Sequence, residues 1–239
     1  KIKSLGFTHA VVDIRPITGE VLYKSEYAPQ MKEWKGAKAG DFDYLGYFIK
    51  KGHELGLEIH ASLNVFCAGH NYFDRGMVYS GHTEWASMVY TPDKGIIPIT
   101  EEKHKYGAMI NPLNEEYRTH ILNVLKEVVS KYPDLDGLML DRVRYDGITA
   151  DFSSLSREKF EEYIGKKVAN FPEDIFRWTK NADGKYITQP GKYFRKWLEW
   201  RTKNITDFMA LARKEVKAAN PDVSFGTYTG AWYPSYYEV

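Results

Sequence analysis

Apolar and polar positions alternate with a period of two in four short stretches, the signature of strands with one buried face. In Thr8 to Arg15, Ala10, Val12 and Ile14 share one face, and Val11, Asp13 and Arg15 the other, before Pro16 ends the run. In Leu57 to Asn64, Leu57, Ile59, Ala61 and Leu63 oppose Glu58, His60, Ser62 and Asn64. The third stretch, Asp136 to Asp146, steps through Leu138 and Leu140 and then crowds Asp141, Arg142, Arg144 and Asp146 together. The fourth, Val223 to Tyr228, sets Val223, Phe225 and Thr227 against Ser224, Gly226 and Tyr228.

Between these runs the period becomes helical. Asp41 is the expected N-cap of a helix carrying Phe42, Leu45, Ile49 and Leu55, closed by Gly56. Asn114 caps a second, with Glu115 and Glu116 favoured in its first turn by the helix dipole. Its stripe is Tyr117, Ile121, Leu125 and Val128, and Pro133 stops it. A short helix is expected over 156–168, and a long one over 193–219 with Phe194, Trp197, Leu198, Ile205, Phe208 and Val216 inward. Two long insertions remain. The irregular stretch 66–111 follows the second strand, and 147–191, with a turn at Asn181 to Gly184, follows the third.

Strands alternating with helices predict an α/β fold with a parallel sheet. A doubly wound sheet buries both faces, so its strands read as continuous apolar runs. Here one face stays polar, as in a (β/α)8 barrel of the TIM type whose outside is covered and whose mouth is wet. Four strands rather than eight, within a single domain over 1–239, predict either part of a barrel, with a strand before Lys1 and others after Val239, or a half-size version of one.

Composition narrows the function. The formal net charge of +1 leaves no basic field for nucleic acid. No apolar run reaches the ~20 residues of a membrane span. The single Cys67 excludes an internal disulfide. The 18 Tyr and 6 Trp, many in loops, suit sugar stacking as well as a core.

Asp141 follows Leu140 with no turn residue between, so its carboxylate still belongs to the strand and must be paired or functional. A carboxylate so placed is a candidate nucleophile or base, and acid–base hydrolysis pairs it with a second carboxyl group. Asp13, Asp146 or an acid outside this chain could be the second. Arg15 and Arg144 could hold Asp141 ionised, or balance charge structurally. His60 and Asn64 are expected to meet sugar hydroxyls, and Tyr145, Tyr228 and Trp232, past strand ends, to stack on rings or pack in the core. Asp13, His60, Asp141 and His104 lack close metal-ligand spacing, so neither metal nor cofactor is expected. Gly-rich phosphate loops and Ser-His-Asp elbows are absent.

The ordered set Asp13-Ile14-Arg15-Pro16, Leu57 to Asn64, Asn111-Pro112 and Asp136 to Tyr145 resembles the glycosyl-hydrolase-like family 10 domain, as do Trp200 to Ile205 and Val223 to Gly226. That family is a bacterial glycosidase-type barrel distantly similar to the α-amylase class. The resemblance implies hydrolysis of a complex or cell-wall polysaccharide by an extracytoplasmic protein, with Asp141 where amylase-like barrels carry the nucleophile. A catalytically silent glycan-binding barrel, or a metal-dependent hydrolase or deacetylase, are the rival readings. Ser62 stands where the family has Trp, and Tyr145-Asp146 where it has Tyr-Pro.

Overall fold

A computed structural model describes residues 2–230. Four strands form one parallel sheet: β1 (His9–Arg15), β2 (Glu58–Asn64), β3 (Gly137–Asp141) and β4 (Ser224–Thr227). They lie side by side in chain order. A doubly wound sheet reverses its order at a switch point; this one does not, and the architecture is that of a partial barrel.

Helices α1 (Tyr44–Glu54), α2 (Glu115–Lys131) and α4 (Phe194–Ala219) cover one face, and α3 (Ser154–Ile164) packs on α4. Ile59, Ala61, Leu63, Leu138 and Leu140 are buried in a core shared with Leu45 and Ile49 of α1, Tyr117, Ile121, Leu125 and Val128 of α2, and Phe208 and Val216 of α4. The opposite face carries Glu58, His60, Ser62 and Asn64 of β2 with their register partners, Asp13 on β1 and Asp141 on β3. The alternation expected for β2 and β3 therefore holds.

It fails at the end of β1. The register shifts between Asp13 and Arg15, which pair with the consecutive residues Ser62 and Leu63. A bulge of this kind re-aims the side chain that follows it. Ile14 and Arg15 are both fully buried as a result. Asp43, not Asp41, caps α1 by accepting from the Gly46 amide at 3.0 Å. Phe42, Leu55 and Leu198, expected inward, are exposed. Asn114 caps α2 as expected, accepting from the Tyr117 amide at 2.9 Å.

Neither insertion is shapeless. In the first, Cys67–His70 pairs with Gly107–Met109 and Met88–Thr91 with Gly95–Pro98, and Phe66, Val78, Trp85 and Val89 join the main core. Short strands joined by turns leave no long period to read. The second holds α3 and a hairpin, Phe176–Lys180 with Tyr186–Pro190. Asn181 closes its turn by accepting from the amides of Asp183 and Lys185. This insertion rests on α4 through a second core of Phe152, Phe160, Phe176, Trp197 and Trp200.

Candidate functional site

Asp141 is the last residue of β3, half-buried on the polar face, in register with Asn64. Its Oδ1 accepts from the Arg142 amide at 2.7 Å. Arg142 turns left-handed there, with φ of 52°, so the chain leaves the strand line immediately after the carboxylate. Such a backbone is uncommon outside glycine and gathers at functional sites.

The turn points Arg142 back across β2. Its Nε donates to Asn64 Oδ1 at 2.9 Å, its Nη2 donates to Tyr106 Oη at 2.5 Å, and its guanidinium lies 5.2 Å from the Tyr106 ring centre. Arg144 is exposed and donates to its neighbour's carbonyl, Tyr145 O, at 3.3 Å. The guanidiniums near Asp141 in sequence thus take other partners, and the structural ion pair weighed for it does not form among the described residues.

Asp13 shares this face across β2, level with Ser62 and, through it, with Met139. Crowding by the protein pushes its carboxyl above the usual range; the Arg15 amide lowers it, and the negative charge of Asp141 raises it further. The residue is nonetheless exposed as a whole, so water screens part of that effect. Two strand spacings and two residues of rise put the Asp13 and Asp141 Cα atoms roughly 11 Å apart.

The structure does not bring every expected residue here. Arg15 is sealed in the core, donating to the carbonyls of Asn64 and Cys67 and, at 3.3 Å, to Tyr117 Oη. Asn64 returns a bond from Nδ2 to the Arg15 carbonyl at 3.0 Å. Asp146 is engaged by Lys105 of the first insertion. Tyr145 is buried beneath α4, its hydroxyl accepting from Asn204 at 3.1 Å and its ring 4.3 Å from the Arg201 guanidinium. Tyr228, 47% exposed, stands just past the end of β4. Trp232 lies outside the described residues.

His60 is on the expected face but at the other end. It pairs with Gly137, the first residue of β3, four residues before Asp141.

Three residues escaped the sequence reading. Tyr106 and Lys105 sit in a loop with no period to mark them. Asp151 is fully buried and accepts from the Met88 amide at 2.6 Å, Asn111 Nδ2 at 2.8 Å and Ser156 Oγ at 2.6 Å, and from Ser153. Burial raises its carboxyl while these donors pull it down. A carboxylate followed by Ser153 and Ser156 at a helix start was its one legible signal. Beside Lys105 a cleft of about 350 Å³ opens between Tyr90, Glu102, His104 and Trp178.

The family model for the glycosyl hydrolase-like 10 domain matches residues 1–238. An S-layer-related protein of Niallia circulans is 35% identical over 252 residues, which cover 98% of this chain and 15% of that protein. Glycosyl hydrolase YngK of Bacillus subtilis strain 168 is 24% identical over 234 residues, 94% of this chain and 37% of the other. The chain therefore spans well under half the length of these curated relatives. Among solved structures, α-L-fucosidase isoenzyme 2 from Paenibacillus thiaminolyticus superposes with a TM-score of 0.61 at 15% identity, over 95% of this chain and 28% of that one. A β-galactosidase from Bacillus circulans gives 0.59 at 11% identity, over 98% and 34%. At such identities the likeness shows a shared fold. No described helix is long and apolar enough to cross a membrane.

Proposed function

The chain belongs to the glycosyl hydrolase-like 10 family, and from that premise we propose that it forms the catalytic rim of a glycoside hydrolase acting on a complex or cell-wall polysaccharide. The observation that carries the reading is Asp141: a strand-end carboxylate on the open face, fixed by the next amide and without an ion pair among the described residues. Carboxyl ends of barrel strands are where such enzymes keep their catalytic groups.

Two carboxyl groups in unlike surroundings divide the work of acid and base. Asp13, whose carboxyl is raised above the usual range by burial, is the donor to the leaving oxygen. Asp141 activates the attacking water on the other side of the sugar. The wide separation of their strands suits the ~6.5–9.5 Å carboxyl spacing of inverting enzymes better than the ~5 Å of retaining ones. Tyr228, exposed beyond β4, and Tyr106, beside Arg142, offer rings to the sugar, and the cleft between Tyr90 and Trp178 extends the path for a longer chain. The S-layer-related relative supports a location outside the cytoplasm.

The test is release of reducing ends from a panel of polysaccharides by the protein and by Asp141→Asn. Release that vanishes in the variant while binding persists supports the assignment; equal release by both refutes it. A second reading is favoured by Asp13, whose exposure lets water screen the upward shift that an acid catalyst needs. In that reading the barrel only holds glycans, and the wild type binds a polysaccharide without cleaving any.

A further inference from the structure

We infer that the amino-terminal end of the sheet carries a divalent transition-metal site formed by His9, Glu58 and His60, with zinc as the ion it fits. The register makes the site. His9 pairs with Glu58 across β1 and β2, and His60 is two residues further along β2 on the same face. Their donor atoms all lie within 4.8 Å of one another. Glu58 Oε2 stands 3.0 Å from His9 Nε2 and 3.6 Å from His60 Nε2. Tetrahedral zinc, with bonds of ~2.0–2.1 Å, sets its donors about 3.3 Å apart. Those two edges bracket that value.

Hydrogen bonding accounts for only part of the arrangement. A separation of 3.6 Å is too long for such a bond. His60 Nε2 is buried without a hydrogen-bond partner while aimed at the same carboxylate oxygen that His9 approaches. A buried nitrogen in that position wants an occupant, and a cation between it and Glu58 supplies one.

The ligands are also held in place beforehand. His9 Nδ1 lies 2.6 Å from Thr8 Oγ1, and in the tautomer in which that nitrogen donates, Nε2 turns its lone pair to Glu58. The two imidazoles pack edge to face with centres 5.3 Å apart. Gly137 leaves the His60 ring room to lie against β3. Two neutral imidazoles and one carboxylate form a donor set that zinc accepts, and the exposure of His9 and Glu58 leaves a fourth position for water. The ion would staple the amino ends of β1 and β2 together.

His60 and Asp141 are four residues apart in register, roughly 13 Å along the strands. The metal site and the hydrolase reading therefore stand or fall separately.

Equilibrium dialysis of this chain against zinc chloride, followed by metal analysis, tests the site. One zinc per chain is expected. His9→Ala and Glu58→Gln, both at exposed positions that leave the core intact, should each weaken binding beyond the ~10–100-fold loss typical of an outer-shell partner. His104→Ala, next to its own acid Glu102 at 3.3 Å, should bind like the wild type. Cobalt in place of zinc should give visible bands of four-coordinate intensity that disappear in His9→Ala. Failure of the wild type to bind, or binding that survives both His9→Ala and Glu58→Gln, overturns the proposal.

Discussion

The imidazole of His60 fills the place of a side chain on Gly137. A Cβ built there overlaps Nδ1 and falls 2.6 Å from Cγ and Cε1 of the ring. Glycine at the first position of β3 is thus a requirement of packing across strands. Gly137→Ala is expected to cost about 1–3 kcal/mol, the range for forcing volume into a packed site. His60→Ala should recover much of that loss, because residues in contact do not add. Urea unfolding of both single variants and the double variant checks this, and strictly additive costs would contradict the contact.

The proposed pairing of Asp13 with Asp141 makes a stereochemical prediction. An inverting enzyme releases the anomer opposite to the bond it cleaves, visible by NMR in the first minutes of reaction. Asp13→Asn should lower kcat by ~10²–10⁴-fold, the usual contribution of acid catalysis, and remove the alkaline limb of the pH profile. A retained anomer would assign the second carboxyl to another residue.

His120 should make the fold sensitive to mild acid. Burial, the Arg15 guanidinium and His82 lower its imidazole to about 4, against ~6.5 for an unperturbed histidine. Between those values the unfolded chain binds the proton and the folded chain does not, so stability is present above pH ~6.5 and lost as pH falls. The loss from this residue by pH 5 is about 2 kcal/mol. Denaturant midpoints at pH 7 and 5 should converge in His120→Gln relative to the wild type.

Cys67 should be inert while the chain is folded. It is fully buried, and burial pushes its thiol up to about 11, with Arg142 pulling the other way. Thiolate is the reactive form, so a thiol reagent at pH 8 should label it only at the rate of opening. Rapid labelling in buffer would show that the strand Cys67–His70 is loose.

The inner and outer faces of β2 and β3 were legible because each residue there obeys a strict alternation. Arg15 was not, because a single bulge reverses its face and local sequence carries no sign of it. Depth along the sheet was likewise hidden: His60 and Asn64 share a face, but which end each occupies depends on register with β3. Asp141 could be picked out by position in its own strand. Tyr106, which holds Arg142, could not, since its place depends on the pairing of two short strands far apart in the chain.

The two-ended amide of Asn64 has a consequence for what the rim can admit. Its nitrogen is committed to the Arg15 carbonyl and its oxygen to Arg142, and the residue is 5% exposed. A guest that draws Arg142 outward strands that oxygen without a donor, at about 1–3 kcal/mol. An incoming hydroxyl can replace the lost donor, whereas a bare carboxylate cannot. On the proposed function, the rim is therefore expected to take neutral, hydroxyl-bearing guests over purely anionic ones, although a positive side chain stands at its edge.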